Sequence, residues 1–191
     1  MKKRLLSIIL AVFVLALGFS ACSKTTTQPA DIDADAAVIE QVAKDYLAAE
    51  MGQNYDKADV CIPWAYLLGT EVAADDSVTL YGDFWVDNYD IKGDTLENVS
   101  GGNYPGVMQM KKDGDSYKVT KFDQVEDGSN YTDSAKKLFG EYYDAWAKFS
   151  SDSEAKARVR TQAVADYVKA NGLKVTQYHD YGWDPVALPT K

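Results

Sequence analysis

The sequence predicts an α+β domain with an N-terminal helix, an antiparallel meander of four strands, and C-terminal helices packed on one face of the sheet. Two changes of period carry that reading: apolar residues recur every three or four positions near both ends of the domain and every second position in its middle. Strands do not alternate with crossover helices, so a parallel sheet is not the expected frame.

Ahead of the domain stand a basic start (Lys2, Lys3, Arg4), an apolar run from Leu5 to Leu17, and the small-residue approach Phe19-Ser20-Ala21-Cys22. This is the three-zone pattern of a secretion signal. The run of about 13 to 17 apolar residues falls short of the roughly 20 that a bilayer core requires. Ser20-Ala21-Cys22 resembles the lipobox of bacterial lipoproteins, with Phe19 where Leu is usual. That resemblance implies cleavage before Cys22 and a diacylglycerol on its thiol. The expected organisation is a signal peptide over 1–21, a lipidated flexible tether over 22–34 and one domain over 35–191, held on the extracytoplasmic side of a cell membrane.

The tether is polar and without apolar period (Ser23 to Ala34). Asp35 is the expected start of a helix through Val38, Ile39, Val42, Tyr46 and Ala49, ending at Gly52. Strands are expected over Ile62–Val72, with Pro63 near its start, and over Val78–Asp87. Two more, Tyr104–Lys112 and Ser116–Val125, flank the turn Asp113-Gly114-Asp115. Gly101 to Gly106 is expected to be a loop between strands, since no Lys-Ser/Thr follows to make it a phosphate cradle.

Helical spacing resumes at Ala135, Leu138, Phe139, Tyr142, Trp146 and Phe149, with a break at Gly140. Ser151-Asp152-Ser153-Glu154 forms a capping box for a last helix ending at Asn171-Gly172. The tail is irregular apart from a short strand within Lys174–Tyr178.

Charge and cysteine content bound the function. Loss of Lys2, Lys3 and Arg4 leaves 17 basic against 29 acidic residues, a formal −12, and such a surface repels a phosphate backbone. Nucleic acid is not an expected partner. With Cys22 committed to lipid, Cys61 has no intramolecular mate and reads as a small buried hydrophobe. Stability then rests on the apolar core, for which about 155 residues suffice.

Segments within Cys61–Phe139 resemble a recurrent domain of Gram-positive bacteria, found in small secreted proteins and at the extracytoplasmic end of membrane zinc peptidases of the beta-lactam-sensor type. They are Ile62-Pro63 with Leu68-Gly69-Thr70-Glu71, Ser100-Gly101-Gly102, Lys111 to Val119, and Asp127-Gly128-Ser129-Asn130-Tyr131. Trp64-Ala65-Tyr66 replaces a His-containing stretch of that domain, and Phe122 with Val125 replaces an aromatic and Pro pair. The resemblance implies no activity of its own. The peptidase's His-Glu-x-x-His helix is absent, since His179 is the single histidine. By analogy of architecture the fold resembles the cystatin-like group, and fold alone does not fix function.

Catalytic candidates are few. His179 has an adjacent acid, Asp180, but neighbours on an extended segment point to opposite sides; no nucleophile accompanies it. Asp31-Ile32-Asp33-Ala34-Asp35 opens like a calcium loop but has Ala36 for the required Gly and Val42 for the closing Glu. No metal or cofactor is expected.

The best functional candidate is one face of the second strand: Tyr81, Asp83, Trp85, Asp87 and Tyr89. Left open, rings beside carboxylates make a ligand cleft; covered by Trp146, Phe149 or the tail with Tyr178, Tyr181 and Trp183, they make a second core layer. The leading expectation is a non-enzymatic binding or sensory lipoprotein that recognises a small molecule, peptide or envelope protein. Two other readings stand beside it: a small enzyme using Asp83 or Asp87 as an acid with a raised pKa inside a cystatin-like cone, and an interaction partner of an envelope peptidase.

Overall fold

The computed structural model describes residues 29–189. The expected signal peptide, the expected lipidation site Cys22 and the first part of the expected tether lie outside the described residues. Helix α1 (Pro29–Tyr46) begins six residues before Asp35, at a proline, which lacks the donor that a first-turn residue leaves unpaired anyway. It widens into a π turn at Leu47–Met51 and closes with a 3₁₀ turn at Gly52–Asn54. Ile39, Ala43 and Leu47, four residues apart, form its buried stripe. Among the described residues no helix is long and apolar enough to cross a membrane.

The sheet is built around β2 (Val78–Lys92). Strand β1 (Val60–Val72) runs antiparallel along one side of it, with a bulge between Leu67 and Gly69. Two strands share the other side: β3 (Thr95–Asn103) pairs with the second half of β2, and β4 (Gly106–Asp113) with the first half. Tyr104-Pro105 separates them, and Tyr104 N–H still donates to the Phe84 carbonyl at 2.7 Å. Strand β5 (Ser116–Gln124) returns along β4.

Three expectations are corrected here. The second strand extends to Lys92 instead of stopping at Asp87, because Tyr89 is buried and carries the apolar face onward. Gly101 and Gly102 lie within β3, opposite Asp87 and Val86, and not in a loop. The sheet is mostly rather than wholly antiparallel and has more strands than the expected four: within a largely irregular tail, β6 (Gln177–His179) pairs parallel with β3, and β7 (Val186–Ala187) antiparallel with β6.

Helices α2 (Tyr131–Phe139), α3 (Tyr143–Ser151) and α4 (Ser153–Ala170) follow the meander, with the expected interruption at Gly140. Asp152, not Ser151, caps α4, accepting from Ala155 N–H at 2.9 Å. These helices share one sheet face, where Val107, Ala135, Phe139 and Trp146 form one cluster and Ile62, Tyr89, Leu96, Val164, Val168 and Tyr178 another. Helix α1 takes the opposite face, against Val78, Leu80, Phe84, Val86, Met108 and Met110. Helices thus cover both faces, because both alternating sets of β2 side chains are large and must leave water.

Candidate functional site

Tyr81, Asp83, Trp85, Asp87 and Tyr89 share the β2 face that looks toward α3, α4 and the tail. The period of two puts them there, and the register sets β1 residues beside them: Trp64 opposite Trp85, Tyr66 opposite Asp83, Ile62 opposite Asp87. Trp64 and Trp85 stack with ring centroids 4.8 Å apart and planes 7° from parallel. Tyr81 leans on Tyr142 at 4.6 Å, and Tyr66 stacks on Phe149 at 3.8 Å. Asp83, Asp87 and Tyr89 are buried, and Trp85 is partly so.

The two carboxylates have different surroundings. Asp83 is 1% exposed and accepts from Asn103 Nδ2. Its Oδ2, Trp85 Nε1 and Trp146 Nε1 are buried without a hydrogen-bond partner of good geometry among the described residues. Burial raises the Asp83 carboxyl above its ordinary value, and the Asn103 donor and the Lys156 charge offset only part of that.

Asp87 is an ion-pair acid. Its Oδ2 accepts from Trp64 Nε1 at 2.7 Å and lies 2.9 Å from the Arg160 Nε as an ion pair, and Asn98 Nδ2 lies 3.4 Å from Oδ1. Burial raises its carboxyl too, against the Arg160 charge and the Trp64 donor. Arg160, on α4, also donates to Tyr89 Oη at 3.1 Å, and its two terminal nitrogens grip Asp180 at 2.5 and 2.7 Å. Its guanidinium lies over the Tyr178 ring, 4.8 Å from the centroid. Although burial opposes its charge, Asp180 and Asp87 keep it firmly protonated. The cluster rivets α4 and the tail to the sheet.

Sequence reasoning did not find Arg160, Asn98, Asn103 or the role of Trp64. A signal existed for the first: Arg160, Val164 and Val168 are four residues apart on α4, and the two valines are buried. A cation on a buried helical stripe needs a buried anion. Asn103 lies in the Gly101–Gly106 stretch expected to be a loop, and Asn98 in a stretch with no period to assign it a face.

His179 has a partner, but not Asp180. Its Nδ1 lies 2.7 Å from Glu97 Oε2 on β3, and its Nε2 lies 2.8 Å from the Trp183 carbonyl. Both neighbours offer acceptor oxygens, a setting that favours the doubly protonated ring. Its pKa is raised, first by the Glu97 hydrogen bond. A ring flanked by acceptors at both nitrogens is poorly placed to take a proton from a nucleophile. Cys61 is half-buried, and burial with the nearby Asp87 charge pushes its thiol up, away from thiolate.

Three adjoining surface hollows lie elsewhere, along the outer edge of β1, apart from one of about 600 Å³ between β5 and α2 and one of about 440 Å³ between α4 and the tail. One of about 460 Å³ has Cys61, Ile62 and Pro63 as floor, with α1 (Gln41, Lys44, Asp45, Ala48) and α4 (Ala163, Asp166, Tyr167, Ala170) as walls. A second, about 340 Å³, continues it over Trp64 and Ala65 and shares Lys44, Ala163 and Asp166. A third, about 500 Å³, adjoins at Arg158 and Val159 and reaches Tyr66 and Phe149. Together they form a trough along β1 between α1 and the C-terminal helices. In its walls Lys44 is paired with Glu40 at 2.6 Å, while Asp45 and Asp166 accept only from glutamines on their own helices, Gln41 and Gln162. The five aromatic and acidic residues of β2 line none of these hollows.

Among the described residues no cluster of three or more His, Cys, Asp or Glu is arranged to hold a metal ion. Comparison with known protein families, with curated proteins and with solved structures finds no match for this chain.

Proposed function

We propose that this chain is a lipid-tethered, extracytoplasmic binding module without catalytic activity, and that its ligand is an extended peptide segment carrying a Lys or Arg. The observation that carries the reading is the trough along β1. It is open, long enough for several residues in extended form, floored by apolar atoms and flanked by small side chains, with Asp45 on one wall and Asp166 on the other. Two carboxylates without a paired cation favour a basic side chain between them. Pro63 on β1 removes a backbone donor from this edge, a common safeguard against sheet-to-sheet pairing. A single strand-like peptide suits such a groove better than a second sheet.

The expected ligand face of β2 supports a small-molecule cleft less well. Its acids are enclosed and its guanidinium is committed to them. An enzyme using Asp83 inside a cystatin-like cone has one supporting feature, the upward-shifted carboxyl, but needs a cavity reaching it. Membrane tethering rests on the signal-like start and Cys22. The likeness to the peptidase-associated domain fits a partner in the envelope.

The test is titration of the chain with two extended octapeptides of Ala and Thr, identical but for Lys or Glu at the centre, followed by calorimetry. The Lys peptide is expected to bind, with at least a fivefold loss in Asp45→Asn and Asp166→Asn. Equal binding of both peptides, or binding of neither, refutes the proposal.

A further inference from the structure

The most exposed large side chains sit together at the tip between β6 and β7. Tyr181 is 96% exposed and Trp183 77%. A soluble surface tolerates scattered apolar atoms, but two of the largest rings on one four-residue turn are a concentrated feature.

The turn that carries them is not loose. Trp183 N–H donates to the Asp180 carbonyl at 3.0 Å, closing the turn, and Gly182 supplies the positive φ of 84° that a side chain would resist. The Trp183 carbonyl is taken by His179 Nε2. The Asp180 side chain is held by both terminal nitrogens of Arg160, which cancels its charge. The Trp183 N–H, the Asp180 and Trp183 carbonyls and the Asp180 carboxylate are therefore paired internally while the rings face water. That lowers the cost of moving the turn from bulk water into a headgroup layer.

We infer that the Asp180–Trp183 turn is an interfacial anchor that seats Tyr181 and Trp183 among lipid headgroups and fixes the orientation of the domain on its membrane. This rests on the proposed tethering. Both rings join an apolar body to a polar tip, the combination enriched where bilayer meets water. A lipid on a flexible tether holds a domain near the surface without orienting it; a second point of contact does both. A protein pocket would also accept such rings. The bilayer is favoured because tethering guarantees its presence and because it needs no complementary shape. Asp184 and the overall negative charge oppose anionic headgroups, so neutral lipid gives the cleanest contact.

The experiment uses the full lipidated chain, purified from a producing host and reconstituted into phosphatidylcholine vesicles with brominated acyl chains. Tryptophan fluorescence is the readout. Trp64 and Trp146 are buried and Trp85 partly so, which leaves Trp183 as the exposed fluorophore of the four. Bromolipid is expected to quench a substantial fraction of the emission in the unaltered chain and almost none in Trp183→Phe. If the protein floats with the vesicles yet the unaltered chain is unquenched, or Trp183→Phe is quenched equally, the anchor is overturned while the tether stands. An intact mass with no lipid on Cys22 overturns the tether and the anchor together. Trp183 that stays open to aqueous acrylamide on vesicles also overturns the anchor, and points to a protein partner instead.

Discussion

Arg160 and Asp180 face each other through two parallel N–H···O bonds of 2.5 and 2.7 Å, and the same guanidinium reaches back to Asp87 on the central strand. One side chain thereby ties helix, sheet and tail. Replacing it by Met is expected to leave Asp87 buried and unpaired at a cost of about 3 to 5 kcal/mol. Urea unfolding monitored by circular dichroism checks this, and a loss below about 1 kcal/mol would show that the cluster does not bind the elements together.

The two buried acids of β2 should respond in opposite ways to the same change. Asp87→Asn removes one of the two acids around Arg160, which keeps Asp180, and is expected to destabilise by about 1.5 to 3 kcal/mol. Asp83→Asn keeps an acceptor for Asn103 and removes a buried charge with no cation bonded to it, so stability at neutral pH should hold or rise, by about 1 kcal/mol. Equal losses in the two variants would mean that their surroundings are equivalent.

The sign of the pH dependence at Asp83 follows from its upward shift. The folded chain holds this proton at pH values where the unfolded chain has released it. Stability therefore falls as pH rises from the ordinary carboxylate value near 4 through the folded pKa. In Asp83→Asn that slope should flatten. An unchanged profile of unfolding midpoint against pH would contradict the assignment.

His179 behaves in the sense usual for a histidine with an anionic partner. Its folded pKa is raised above 6.5, so its contribution is fully present below the unfolded value and is lost as pH climbs through the folded one. As the single histidine it gives one imidazole signal in a proton NMR titration. Glu97→Gln should move that midpoint down, and no movement would remove Glu97 as the cause. The charged groups facing this ring are Glu97 and, more weakly, Asp180.

Gly101 lies where no Cβ fits. One placed there would meet the Val86 carbonyl oxygen at 2.5 Å and Asp87 Oδ1 at 2.9 Å. Gly101→Ala is expected to cost about 1 to 3 kcal/mol by forcing β3 away from β2. A thermal midpoint within a degree of the parent would disprove the close approach.

Much of the architecture was legible in residue order because period is a local property. Alternation at Val78, Leu80, Phe84 and Val86 announces a strand, and the spacing of Val38, Ile39, Val42, Tyr46 and Ala49 announces a helix. The Asp113-Gly114 turn closes its hairpin where expected. What escaped depends on pairing between distant segments. Gly101 to Gly106 has no bulky alternation and reads as loop, yet Gly101 lets β3 approach the crowded back of Asp87. Gln177 to His179 is too short to announce a strand alone and becomes one by adding to β3. The face of Tyr81 to Tyr89 was visible as a face, but its closure depends on Arg160 and Asp180, whose partners are far off in sequence. The trough along β1 was invisible, since α1 and α4 meet only across it.

The parallel ladder between β3 and β6 joins residues 82 positions apart, such as Thr95 with Gln177. Loop-closure entropy makes a contact of that order late in forming, after the intervening helices have condensed. The chain therefore cannot complete its sheet until nearly all of it has been released from synthesis. A truncation before Gln177 would leave β3 with an open flank and Arg160 without its clasp, a species prone to add a stranger's strand.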